Sequence, residues 1–498
     1  MTSLPKPARQ ANLACKAFSI AICLAVSSQN LMPAMAQAKP QAKPVTKKTV
    51  DRSSAPVKKD NSVTGGGQLT KTGNQPGQST SETDKAQQAQ HAAALPAAEA
   101  AKATQGLTSQ YRGGWQMFLH NPSRTGNSYI DIPPANQGSI KWKFPAEGPI
   151  DSSPAIYKGV IYFGSDDGHV YAVDEQNGRL LWKSKLGDKV KSSPAISDGV
   201  LVVGCEDKKI YGLSYRDGKI LWSFETRDRV SSSPAVHESV AYVGSWDGHL
   251  YALDAKTGQL RWQFPQSEAA SNPETSADTN LSNGAAPTGT STAAPKAADT
   301  AGIPQSSLGR ITSSPCLAPG VVICSAHNGY VYALSTHDGK LVWQFRTGAK
   351  LMASPMVLDH TVYFGSWDHA FYAVDLASGK QKWKTGAAES FSVTATGVGG
   401  KIFAANDDLK LYCLDAHSGK VLWKTQINSP VPLLSSAPAI AGNMLYCGSP
   451  DANVYAIDTR NGAIKWKLKT QRPIVCSPAL TTGGVCIGSQ DGNLYLIN

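Results

Sequence analysis

A tryptophan returns every 40 residues along much of this chain, at Trp142, Trp182, Trp222 and Trp262. After an interruption the series resumes with Trp343, Trp383, Trp423 and Trp466. A tyrosine keeps the same interval, at Tyr171, Tyr211, Tyr251, Tyr332, Tyr372, Tyr412, Tyr455 and Tyr495. A repeat of about 40 residues with strand-like content marks a β-propeller, one four-stranded sheet per repeat. Such a period constrains architecture far more than function, because propellers host both enzymes and binding scaffolds.

The first full unit shows why the segments should be strands. Ser152 to Tyr157, Val160 to Gly164, His169 to Val173 and Arg179 to Lys183 are separated by Lys158-Gly159, Asp167-Gly168 and Asn177-Gly178. Asn-Gly and Asp-Gly supply the positive φ that tight hairpins need. β-Branched and aromatic residues alternate between these turns, and an amphipathic helix fails because no stretch of about ten residues escapes a turn signal.

Eight units follow, their first strands carrying Pro154, Pro194, Pro234, Pro315, Pro355, Ala395 (in place of proline), Pro438 and Pro478. The eighth reaches Asn498 after its third strand. The segment Ser139 to Phe144, with Trp142, precedes the first unit and has fourth-strand character. It is expected to supply the outer strand of the last blade, pairing with Asn493 to Ile497, which would remove an open sheet edge at the seam. The expected fold is therefore all-β: an eight-bladed propeller of four-stranded antiparallel blades over residues 111–498, the last blade closed by an N-terminal strand.

These units carry a family resemblance. Ala172, Asp174, Gly178 and Trp182 resemble the tryptophan-docking motif of pyrroloquinoline-quinone (PQQ) enzyme repeats, as do Ala252, Asp254, Gly258 and Trp262, then Ala373, Asp375, Gly379 and Trp383, then Ala456, Asp458, Gly462 and Trp466. The second unit departs with Gly212 and Ser214, the fourth with Ser335 and the sixth with Cys413. The lead-in from Trp115 to Gly126 also resembles the opening of PQQ-like repeat proteins. The resemblance implies a quinoprotein alcohol dehydrogenase-like fold in which the eight period tryptophans pack between blades.

Outside the propeller, residues 1–36 read as an export signal. Lys6, Arg9 and Lys16 precede a short apolar run from Ala17 to Ser27, and Ala34-Met35-Ala36 offers a small-residue cleavage site. Neither Cys15 nor Cys23 stands where a lipid anchor would need it, and no later stretch approaches membrane-spanning length. Residues 37–110, poor in aromatics, read as a disordered basic tether, and residues 265–308 read as a disordered loop insertion.

The net charge of +11 does not argue for nucleic acid. The signal holds three cations and no acid, and residues 37–110 hold ten Lys/Arg against five Asp/Glu, so most of the excess lies outside the propeller. Lys39, Lys43, Lys47 and Lys48 could instead touch an anionic envelope surface. Seven cysteines follow the signal: Cys205, Cys316, Cys324, Cys413, Cys447, Cys476 and Cys486. They read as core filling, with pairing of Cys316 to Cys324 or Cys476 to Cys486 left open. No Cys or His spacing suggests a metal site.

The turns between second and third strands and the loops between blades share one face. That face places Asp166, Asp167, Trp246, Asp247, His327, Trp367 and Asp368 with Arg227 and Arg229, and it is the expected partner-binding face. Trp246 and Trp367 break the tryptophan period and stand in turns, where aromatic residues suit binding hot spots. No catalytic residues are assigned. The PQQ enzymes use adjacent cysteines, a calcium-type ion held by Glu and Asn, and an Asp base, and this chain has no Cys-Cys dipeptide. The resemblance to the non-catalytic propellers of outer-membrane barrel assembly implies a monomeric, exported scaffold, periplasmic or extracellular, without cofactor. Its partners would be envelope proteins or extended polypeptide clients. The alternatives are a PQQ- and calcium-dependent dehydrogenase, or a carbohydrate- or polymer-binding module stacking sugars on Trp246 and Trp367.

Overall fold

The computed structural model describes residues 117–121, 123–126, 135, 138–266, 308–427 and 436–498. The signal, the tether, Trp115 and nearly all of the insertion lie outside the described residues. The chain divides into two compact units, Met1–Thr83 and Asp84–Asn498, and the described residues belong to the second.

Eight antiparallel four-stranded sheets succeed one another along the chain. Blade 1 comprises Ala155–Tyr157, Val160–Gly164, His169–Asp174 and Leu180–Lys185. Its first strand starts three residues later than Ser152; Ser152 and Ser153 bond to Ser192 and Ser193 of the next blade, and the Ser152 hydroxyl also accepts from Gly164 of its own blade. The fourth strand runs two residues past Lys183. Lys158 and Gly159 both take positive φ, 51° and 74°, the pair of angles that a two-residue hairpin turn demands. Blade 8 joins Ala479–Thr481, Gly484–Gly488 and Asn493–Ile497 to Ile140–Pro145 as its outer strand. The register sets Trp142 opposite Leu496 and Phe144 opposite Leu494, so the expected N-terminal closure is present.

Burial explains how one sequence pattern makes a ring. The second and third strands are buried on both faces, while the outermost strands keep many exposed residues, alternating with half-buried ones in blade 1 and with a buried tryptophan in blades 3, 4 and 5. Apolar residues form clusters that lie between blades. One joins blades 1 and 2 through Tyr162, Val170, Ile196 and Leu213, and another joins blades 7, 8 and 1 through Val454, Ile487 and Phe163. A blade therefore has no core of its own, and burial of its two apolar faces requires both neighbours.

Polar bonds repeat the same logic around the axis. The backbone N–H of Ser153 donates to the Ser193 hydroxyl, Ser193 to Ser233, Ser233 to Ser314, Ser314 to Ser354 and Ser354 to Thr394. Ala437 then donates to Ser477, and Ser477 returns to Ser153 across the seam at 2.8 Å. Ala437 has no hydroxyl to receive the next link from Thr394. Residues 123–126 bond to the inner strands of blades 3 to 7 or the residues just before them. Ser123 donates to the Leu317 carbonyl, and Val357, Gly397 and Ile440 donate to the carbonyls of Ser123, Thr125 and Gly126.

All seven cysteines are buried free thiols. Cys316 and Cys324 belong to clusters on opposite faces of blade 4, because Cys316 pairs with Ile323 and the one-residue offset turns Cys324 the other way. Cys476 takes the place of a serine: its sulfur lies 3.1–3.2 Å from the backbone of Gly488. Among the described residues, no helix is long and apolar enough to cross a membrane.

Candidate functional site

Two sets of residues that recur blade by blade are occupied with the fold. Each period tryptophan donates its indole N–H to a backbone carbonyl of the next blade, from Trp142 to Glu175 at 3.1 Å, Trp182 to Tyr215, Trp222 to Ala255, Trp262 to Thr336, Trp343 to Leu376, Trp383 to Ala416 and Trp423 to Thr459. Trp466 completes the circuit onto Ala135 at 2.8 Å. Its face lies on a positive-φ glycine of that neighbour, such as Gly178 under Trp142 or Gly339 under Trp262, where a Cβ would stand 2.7 and 2.6 Å from the ring.

The second set explains the tyrosine interval. Tyr171 donates to Asp167 at 2.6 Å, Tyr211 to Asp207, Tyr251 to Asp247, Tyr372 to Asp368, Tyr412 to Asp408, Tyr455 to Asp451 and Tyr495 to Asp491. In blade 4 the polarity reverses, and the Asn328 amide donates to Tyr332. Asp167, Asp247 and Asp368 are thus turn struts. Arg227 joins this set through its backbone N–H, which donates to Asp247.

The remaining positions on this face differ from blade to blade. One ring consists of the residue before each turn strut: Asp166, Glu206, Trp246, His327, Trp367, Asp407, Pro450 and Gln490. Seven of these eight turns, all but that of Pro450, are tied by the ring residue's backbone N–H to the carbonyl of an inter-blade loop residue that also varies, including Lys189, Arg229, Arg310, Lys350 and Ser390. A third ring, just before the first strands, includes Asp151, Lys191, Ser231, Thr312, Met352 and Ser392. The sheets fix the backbone, and these rings carry the variable chemistry.

Blades 8, 1 and 2 make an ionic sector. Lys189 lies 3.3 Å from Asp166, Lys191 lies 3.4 Å from Asp151, and Gln490 donates to Asp151 at 3.0 Å. Burial and the neighbouring Asp151 push the Asp166 carboxyl upward. Burial opposes the Lys191 charge, but Asp151, Asp166 and Glu206 together raise its pKa. Arg229 reaches Glu206 at 3.9 Å.

Blades 3 to 5 make a cation–aromatic sector. Trp246 is half-buried, not an exposed loop tip: its N–H donates to Ser231 at 2.7 Å, and the guanidinium carbons of Arg310 and Arg229 lie 4.6 and 5.8 Å from its ring centroid. His327 Nε2 lies 2.9 Å from the Thr312 hydroxyl. Burial, reinforced by Lys350 and Arg310, pulls that imidazole down to about 4, so it is neutral at physiological pH. Lys350 stands 3.7 Å over the Trp367 ring, and the buried Trp367 N–H has no hydrogen-bond partner among the described residues. Among the described residues, neither Arg310 nor Lys350 has a carboxylate within 4.0 Å.

Blade 6 adds an acid in an unusual state. Ser392 donates to one Asp407 oxygen at 2.6 Å and the other oxygen is buried without a partner among the described residues. Burial pushes this carboxyl up to about 7; the serine bond opposes the shift, and Glu389 and Asp408 add to it.

The face thus brings together Asp166, Arg229, Trp246, His327 and Trp367, and leaves Arg227, Asp167, Asp247 and Asp368 with the turns. Arg310 was missed as a site residue, although it stands five positions before Pro315 as Arg229 does before Pro234. The 265–308 insertion ends two residues before it and hides the correspondence.

Metal and cofactor chemistry can be weighed on these donors. Glu147, Asp167 and His169 bring three ligand atoms within 4.8 Å of one another. Lys183 occupies Glu147, and Asp167 serves Tyr171 and His169, an arrangement that Asp247, His249 and Tyr251 repeat. That group is turn chemistry. A quinone held beside calcium needs ionised oxygen donors facing the axis. Here Asp151 and Asp166 are paired with lysines and Asp407 titrates near neutrality, so the donor set does not fit.

A family model described as outer membrane protein assembly factor BamB matches residues 128–288, 292–396 and 372–498. The chain belongs to that family. Among solved structures, BamB from Moraxella catarrhalis is 18% identical with a TM-score of 0.56, covering 72% of this chain and 98% of that one. A europium-containing methanol dehydrogenase is 16% identical with a TM-score of 0.62, covering 78% and 92%. Quinohemoprotein alcohol dehydrogenase from Comamonas testosteroni is 14% identical with a TM-score of 0.63, covering 80% and 83%. These likenesses establish the fold, and they include a BamB and two dehydrogenases. A beta-alanine-activating enzyme of Danio rerio is 36% identical over 53 residues, which is 11% of this chain and 4% of that protein.

Proposed function

We propose that this chain is a non-catalytic scaffold of the bacterial cell envelope that binds polypeptide on its axial face, in the service of outer-membrane protein assembly. The observation that carries the reading is the division of labour among residues. Asp, Tyr and Trp recur because they hold the sheets together, and the side chains free to differ form a half-buried surface of cations and indoles, the composition that dominates protein–protein hot spots. Membership of the BamB family supports the process, and an exported, periplasmic chain is the setting it requires.

The test uses a urea-unfolded outer-membrane β-barrel protein carrying a fluorescent label. Diluted into buffer with the purified full chain, it should show saturable anisotropy, and Trp246→Ala with Trp367→Ala should weaken binding by about tenfold or more. Unchanged binding would remove this face from the proposal. Dye-linked alcohol oxidation that appears on adding PQQ and calcium would replace it with the dehydrogenase reading.

A further inference from the structure

The axial face is electrically divided, and the division specifies what it can hold. In the ionic sector the ring cations are paired with carboxylates: Lys189 with Asp166, Lys191 with Asp151, Arg229 with Glu206. In the cation–aromatic sector Arg310 and Lys350 lie over Trp246 and Trp367 and face no acid among the described residues. No described carboxylate within 4.0 Å compensates their charge, and they are close enough together to act on the same imidazole of His327. Beside them an indole N–H of Trp367 is buried with no acceptor among the described residues.

Two donors of fixed charge, a spare N–H and two flat apolar faces are the complement of a carboxylate on an apolar stem. An extended polyanion fits poorly, since its charges would run on to the acids of blades 1, 2 and 6: Asp166, Glu206 and Asp407. We propose that Arg310 and Lys350 form a carboxylate receptor for an acidic residue of a bound polypeptide segment, whose neighbouring side chains lie against Trp246 and Trp367. This rests on the polypeptide-binding reading and adds the charge of the partner.

The experiment uses the full chain and three short fluorescein-labelled peptides, alternating Glu with Val, Gln with Val, and Lys with Val, each with an amidated C-terminus. A fourth is the Gln peptide with a free C-terminus. The Glu peptide should bind about tenfold more tightly than the Gln peptide, and raised salt should erase the difference. The free-terminus Gln peptide binding like the Glu peptide would assign the same receptor to a chain end. Arg310→Ala with Lys350→Ala should remove the preference, and Arg310→Glu with Lys350→Glu should transfer it to the Lys peptide, a gain that misfolding cannot mimic. Arg179→Ala with Lys467→Ala, exposed and off this face, should change nothing.

Equal binding of the Glu and Gln peptides, abolished by the Trp246 and Trp367 substitutions, would overturn the carboxylate receptor and leave polypeptide binding intact. If neither the peptides nor the unfolded barrel protein binds, both fall. Binding of oligo-dT or phosphatidylglycerol vesicles that is lost in the Arg310/Lys350 variant, without peptide binding, would give the arc to a polyanion and overturn the proposal.

Discussion

Arg124 is the largest wholly buried charged side chain in the described structure, and its partners are all neutral. Its guanidinium donates to the carbonyls of Pro315, Ser233, Pro234 and Phe118 at 2.5–3.1 Å, stitching the N-terminal segment to blades 3 and 4. Burial pulls its pKa down to about 9, yet the group stays protonated at neutral pH. Arg124→Met should cost about 3 kcal/mol or more, because several buried carbonyls lose a charged donor. Arg124→Lys should recover only part of that, since an ammonium cannot make the planar fork. Urea unfolding midpoints would measure both. Asp407 makes the complementary prediction for acid. Its folded pKa is near 7 against an ordinary 3.8, so between those values the folded chain holds a proton that the unfolded chain has lost. Stability contributed by this group is therefore present at low pH and lost as pH rises toward 7 and above. Asp407→Asn should be roughly 1–3 kcal/mol more stable than the parent at pH 8, with the gap closing by pH 4; a gap independent of pH would refute the assignment.

At the scale of an element, the tryptophan and the glycine beneath it act as one joint. Trp262 is 8% exposed, donates to Thr336, and rests on Gly339 at φ 71°. Trp262→Ala should cost roughly 3–5 kcal/mol through the cavity and the lost indole bond. Gly339→Ala should cost about 1–3 kcal/mol, from the left-handed backbone and a Cβ 2.6 Å from the ring. Because the two act on the same contact, the double variant should cost less than the sum, which a thermal-unfolding cycle would read. The family resemblance implied that the tryptophan packs between blades, but the joint with this glycine was not legible, because the fixed Gly-x-x-x-Trp spacing lies within a unit and the glycine beneath Trp262 belongs to the next. The tyrosine strut was legible only as an interval and a turn. Its hydroxyl-to-carboxylate bond spans just four residues, but nothing in the pattern Asp-x-x-x-Tyr says that the hairpin folds the two together. The site was harder still. The pairing of Arg310 with Trp246 crosses from one blade to the next, and an insertion separates the two in the chain. Trp246 and Trp367 stood out as irregular residues, but the cations that cover them did not.

Across the ring as a whole, symmetry is close to complete and its one missing rung is informative. Seven hydroxyl links run round the axis, and the eighth fails at Ala437. Ala437 is buried, with apolar neighbours in the cluster between blades 6 and 7. Ala437→Ser would place an oxygen where Thr394 can donate, and should raise stability by about 1 kcal/mol, seen as a melting point a few degrees higher. A fall instead would mean that the site is too apolar to hold the hydroxyl. The number of modules and their order could be read from composition and spacing; the ring of rungs could not, because each link joins residues one whole unit apart.

The Ile140–Pro145 strand has a consequence for how the molecule is made. Its sheet neighbour among the described residues, Asn493–Ile497, emerges from the ribosome after the other described strands. Until then the growing chain has a bare flank with no mate, ready to bond to any other incomplete copy. Passage across a membrane before folding would give the two flanks their first chance to meet on the far side, within a single chain.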